Sequence, residues 1–142
     1  MTSDNSKTTA EKMKEKRDYT YGSGILYNAD PEFAKRYDAY AEYVLRRDDA
    51  LSRKNRELII ISHALARDKP KACANHMAAA LKYGASMEEI FQTFQLTKRL
   101  SSAWISLTVS EALTELEYAI ENLGIDSADL DVDFDELKKL RD

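Results

Sequence analysis

Apolar residues return at intervals of three and four along most of this chain, and the intervals reset at a few breaks. Phe33, Tyr37, Tyr40, Ala41 and Val44 form one apolar helical face. Ahead of them, Asp30 offers a cap, Pro31 suits the first helical position and Glu32 favours the positive end of the helix dipole. A helix over residues 30–47 follows from this. A second is expected over about 52–67, where Leu58, Ile59, Ile60, Ile61 and Leu65 make most of the circumference apolar, so it should be central. Arg67, Asp68, Lys69 and Pro70 read as a turn. The third helix runs to about Tyr83, with Cys73, His76, Met77 and Ala80 on one face and Ala72, Ala78 and Ala79 allowing close approach. Gly84 fits a left-handed stop, and Ser86 with Glu89 has the spacing of a capping box. The apolar period then continues to about Asn122 through Ile90, Phe91, Phe94, Leu100, Trp104, Leu107, Leu113, Leu116 and Ile120. So long a stretch predicts two helices with a break over 100–103. Gly124 ends it, an acidic segment follows over 126–133, and a last short helix is expected over 135–140.

The pattern specifies an all-α bundle of about six helices. Residues 1–18 are nearly devoid of apolar side chains and are expected to form a flexible arm. Residues 19–142 are expected to form one domain, opening with an irregular segment over 19–27. With only 4 Gly and 2 Pro in 142 residues, a turn-rich β fold is disfavoured. The net charge of -4 argues against nucleic acid or an anionic membrane surface as a partner. No apolar run approaches the roughly 20 residues that span a bilayer, and residues 1–18 lack the apolar centre of a secretory signal. A cytoplasmic location is the expectation. The single cysteine, Cys73, excludes an internal disulfide and a two-cysteine redox centre within one chain.

The second and third helices should form an antiparallel hairpin, in which Glu57 and His76 sit at comparable distances from the turn. A carboxylate and an imidazole meeting inside a helical core can transfer protons. The competing reading makes His76 a satisfied core residue and Glu57 a partner of the helix dipole. His63 reads as structural, and Cys73 as a small buried apolar residue. No spacing suggests a metal site, a phosphate loop or a nucleophile elbow.

Arg56-Glu57-Leu58-Ile59-Ile60, the downstream His76, and the run from Ala79 through Gly84-Ala85-Ser86-Met87-Glu88-Glu89-Ile90 resemble the central signature of the carboxymuconolactone decarboxylase and alkylhydroperoxidase-like superfamily. The likeness covers about residues 31–115. It implies an antiparallel helical fold that assembles as a homotrimer or homohexamer, with Glu57 and His76 at the family's acid and histidine positions. The peroxidase branch also carries two cysteines ahead of the histidine. Here those positions hold Lys69 and Ala72, and Cys73 lies one residue late, about 100° around the helix. That argues against a dithiol peroxidase. The decarboxylase branch needs neither cysteine nor cofactor. It implies His76 as the acid or anion binder, Glu57 as its orienting partner, and Arg56 or Lys69 as candidates for a substrate carboxylate. This chain departs from that branch at Ala72-Cys73, where a carboxylate is usual, and at residues 101–104. Three functions therefore stand side by side: a cofactor-independent carboxy-lyase acting on a lactone-type carboxylate, a single-cysteine redox protein using Cys73, and a non-enzymatic oligomer that binds a small molecule.

Overall fold

The computed structural model describes residues 8, 11, 24–47, 50–101 and 104–140. The expected arm, 1–18, falls outside them apart from Thr8 and Glu11. Among the described residues there are seven α-helices and no strand, so the all-α expectation holds. The additional helix is α1, Gly24–Ala29, in a segment read as irregular. Its burial of Tyr27 supplies an anchor that two glycines and scattered tyrosines do not reveal as a period.

The chain divides into two compact units, within residues 1–49 and 50–142. In the first, α1 is followed by α2, Pro31–Ala41. Asp30 caps α2 by accepting a hydrogen bond from the Phe33 amide at 3.0 Å, and Pro31 opens the first turn. Tyr27 and Ala34 form a small buried cluster with Tyr37 against it. The Phe33 and Tyr37 rings stack at 5.8 Å between centroids, and Tyr27 lies 6.2 Å from each. The helix expected to reach residue 47 changes at Ala41 to a wider π-helical turn, Glu42–Arg46.

The second unit contains α3 (Arg53–Ala66), α4 (Pro70–Lys82), α5 (Met87–Leu100), α6 (Ile105–Asn122), a 3-10 turn (Ser127–Asp129) and α7 (Phe134–Lys139). Ser52 caps α3, and Asp133 caps α7. Between α3 and α4, Asp68 adopts a left-handed conformation, φ +53°, which a short polar side chain tolerates better than most. Its carboxylate accepts the hydroxyl of buried Thr108 on α6 at 2.5 Å, so the hairpin turn is tied to the next layer. Gly84, at φ +87°, ends α4, and the Ala85 amide reaches back to the Ala80 carbonyl at 2.9 Å. Ser86 and Glu89 complete the anticipated capping box at the start of α5. α5 stops at Leu100, and α6 begins at Ile105, which places the break where the sequence put it.

The central helix is α4 rather than α3. α4 buries Cys73, Ala74, Met77, Ala78, Ala79, Ala80 and Leu81, while Ile59 of α3 is 46% exposed. Small side chains let α3 and α6 both pack on α4, which makes it the shared element of the core. The bulkier isoleucines of α3 then sit toward one side. α5 is attached to α3 by two polar links: Thr97 donates to Ser62 at 2.8 Å, and Lys54 pairs with Glu89 at 2.8 Å.

Candidate functional site

Two neighbouring helices of the second unit, α3 and α4, supply the candidate site. Glu57 lies one turn into α3 and has no exposure to solvent. His76 lies midway along α4, with 12% of its side chain exposed. Their side chains meet across the hairpin, His76 Nδ1 donating to Glu57 Oε2 at 2.7 Å. The imidazole proton on Nδ1 is thereby assigned by the carboxylate it faces. Any proton exchanged by the ring with a ligand passes through Nε2.

The other carboxylate oxygen, Oε1, accepts from Arg53 Nε at 2.6 Å. Arg53 stands one turn before Glu57 on α3, the i, i+4 spacing that brings side chains together on a helix. Its guanidinium carbon lies 4.8 Å from the centroid of the Tyr83 ring, at the end of α4. Lys82 Nζ is 5.8 Å from the same ring. Arg53 and Tyr83 were not singled out in the sequence. The i, i+4 pairing of Arg53 with Glu57 was a readable signal for the first, whereas the stacking of Tyr83 depends on the hairpin.

The remaining candidates separate from this pair. Arg56 is buried, and its Nη1 donates to the Leu51 carbonyl at 2.7 Å, a backbone tie at the start of α3. Lys69 is the exposed residue preceding α4, seven positions before His76, which is about 10 Å along the axis at 1.5 Å per residue. Cys73 sits three positions before His76, wholly buried, and burial pushes its thiol up to about 12. A thiol held in that state is a packed apolar group at neutral pH. His63 Nδ1 bonds to the Ile59 carbonyl at 3.0 Å on an exposed part of α3.

A cleft of about 460 Å³ opens elsewhere in this unit, lined by Glu117, Ile120, Glu121, Ile125, Asp126, Ser127 and Phe134. It shares no residue with the Glu57 and His76 pair. The chemistry-bearing side chains and this cleft are thus different places, and the buried pair carries the functional argument because it brings together groups able to move a proton.

The region around the pair also resembles a known family. The model of the carboxymuconolactone decarboxylase family matches residues 31–97. That stretch, which includes both Glu57 and His76, is similar to the carboxymuconolactone decarboxylase family. No curated protein and no solved structure gives a significant match. Among the described residues, no helix is long and apolar enough to cross a membrane.

Proposed function

We propose that this protein is a cofactor-independent carboxy-lyase that acts on a lactone-type carboxylate through the His76 and Glu57 pair. The observation that supports this most directly is the 2.7 Å contact between a wholly buried carboxylate and an imidazole, within the family-matched segment. In the proposed reaction the carbon–carboxylate bond breaks and carbon dioxide leaves. The electron pair stays on the lactone as a dienolate. Solvent places a proton on Nε2 of the His76 ring, which passes it to the dienolate carbon, forming the new carbon–hydrogen bond and restoring the neutral Nδ1–H ring. Glu57 holds the ring in orientation and stabilises its protonated form during the cycle. Arg56 and Lys69 remain the proposed cations for the substrate carboxylate. Lys69 is the exposed one and the better placed to meet a ligand from solvent.

Assembly into a homotrimer or homohexamer is part of the proposal, following the family resemblance. Supporting it, Leu96, Leu100 and Trp104 are 65%, 89% and 72% exposed in the single chain. Large apolar side chains left so open are commonly covered by association. Sedimentation of the full chain tests this, and a monomer at micromolar concentration would remove it.

The test of the reaction is ultraviolet-monitored turnover of 4-carboxymuconolactone and close lactone analogues by the wild type and by His76→Gln. Loss of general acid–base catalysis is expected to slow turnover about 10²- to 10⁴-fold in a folded variant. No turnover by folded wild type would reject the lactone substrate class. Equal turnover by the variant would reject the role of His76.

A further inference from the structure

Among the described residues, Glu57 is the one buried carboxylate. Taking a carboxylate out of water is costly unless a counter-charge and hydrogen bonds offset the loss of hydration. His76 and Arg53 each fill one of its oxygens, at 2.7 and 2.6 Å. The two donors differ in kind. An imidazole changes its charge near neutral pH, whereas a guanidinium stays protonated. Arg53 therefore balances the carboxylate in every state of the ring. Only 11% of the Arg53 side chain is exposed, and the Tyr83 ring packs 4.8 Å from its guanidinium carbon, so the cation is held in place.

We infer that Arg53 is a positioning residue for the His76 and Glu57 pair: its fixed charge neutralises the buried carboxylate, so that the imidazole exchanges protons without having to serve as the counter-ion. The inference rests on the proton-transfer reading of the pair given above. Its consequence is chemical. With a cation fixed at Oε1, His76 can donate through Nδ1–H to Oε2 as a neutral ring. Without that cation two escapes exist. Glu57 takes a proton and donates it to Nδ1, moving the ring to the Nε2–H tautomer. Otherwise the ring stays protonated as an imidazolium. Both escapes abolish the neutral Nδ1–H form.

The ring nitrogen resonances of the full-length, ¹⁵N-labelled chain read that form directly. The chain has two histidines, and the signals lost in His76→Gln assign the ring, leaving those of His63. Wild type is expected to show a neutral Nδ1–H tautomer for His76. At the same pH, Arg53→Lys should keep it, because a cation still reaches Oε1 from one turn away. Arg53→Gln, which keeps a hydrogen-bond donor and removes the charge, should lose it. A folded Arg53→Gln with the wild-type signature overturns the inference and leaves the pair intact. So does a folded Arg53→Lys that loses it. A wild type lacking the Nδ1–H tautomer at every pH overturns the pair itself, and this inference with it. If Arg53→Gln does not fold, the double variant Arg53→Gln/Glu57→Gln decides. Recovery of folding supports charge balance, and continued failure shows that Arg53 acts by packing instead.

Discussion

Replacing Glu57 by glutamine removes a charge and almost no volume, so it isolates what the carboxylate contributes. In the native site both oxygens accept charge-assisted or short hydrogen bonds, from Arg53 at 2.6 Å and from His76 at 2.7 Å. The amide has one acceptor oxygen and one donor nitrogen. Its oxygen can keep Arg53, and its nitrogen must then face His76 Nδ1, which forces the ring to the other tautomer. Hydrogen bonds to charged groups contribute about 1.5–3 kcal/mol and neutral ones about 0.5–1.5 kcal/mol, so the bond to His76, now between neutral groups, loses about 1 kcal/mol, while the Arg53 bond keeps its charged donor. The Arg53 charge, 11% exposed, also loses its counter-ion. Breaking one partner of a fully buried pair costs about 3–5 kcal/mol, and the slight exposure of Arg53 and His76 places this site at the lower end. A loss of about 3 kcal/mol is therefore expected. With about 2.1 cal/mol/K of unfolding entropy per residue, the 142 residues give about 0.3 kcal/mol/K, so Tm should fall by about 10 °C. Thermal unfolding followed by circular dichroism measures this, with the urea midpoint as a second reading. A Glu57→Gln protein within about 1 °C of wild type by this conversion would refute the reasoning, since it would mean that Glu57 is not an ionised double acceptor.

Two further outcomes follow from the core and the caps. The Cys73 thiol is raised from an ordinary 9.0 to about 12 by burial. The unfolded chain therefore loses that proton first, and the stability it contributes is full below pH 9 and is lost as pH rises toward 12. Cys73→Ala should flatten the alkaline decline of the urea midpoint, and a native-state thiol reagent should label wild type only at the rate of opening; fast stoichiometric labelling would contradict the burial. Ser86→Ala removes one half of the capping box on α5 and should cost about 1 kcal/mol, or about 3 °C by the same conversion. An unchanged melting curve would show that the cap contributes nothing. In the other half of that box, the hydrogen bond from Lys54, helped by the Ser86 amide, holds the Glu89 carboxyl below the usual range.

Most of the fold was legible because its signals are local. Caps at Asp30 and Ser86, prolines at the first positions of α2 and α4, and glycines at 84 and 124 act within a turn of the residues they stop or start. These fix where helices begin and end regardless of what packs on them. The sequence alone likewise placed Glu57 and His76 on facing arms of one hairpin, because distance from a turn is a matter of counting. What it could not rank was burial. Four consecutive apolar residues on α3 outweighed the alanines of α4 by hydrophobicity, yet α4 became the core because small side chains admit neighbours on two sides. That depends on how closely backbones approach, which no single helix encodes.

The sequence by itself determined the helices from Pro31 onward, apart from the π-helical turn, their order, the family resemblance and the identity of the two groups that could exchange a proton. The tertiary structure decided what surrounds them. It took all water from Glu57, set Arg53 against one oxygen and His76 against the other, and stacked Tyr83 on the guanidinium. It also sent Arg56, the neighbour of Glu57 in sequence, to a backbone carbonyl instead. The reason is geometric: adjacent helical residues point about 100° apart, while residues four apart share a face. Side chains from separate helices share a site only once packing has fixed both their heights and their faces.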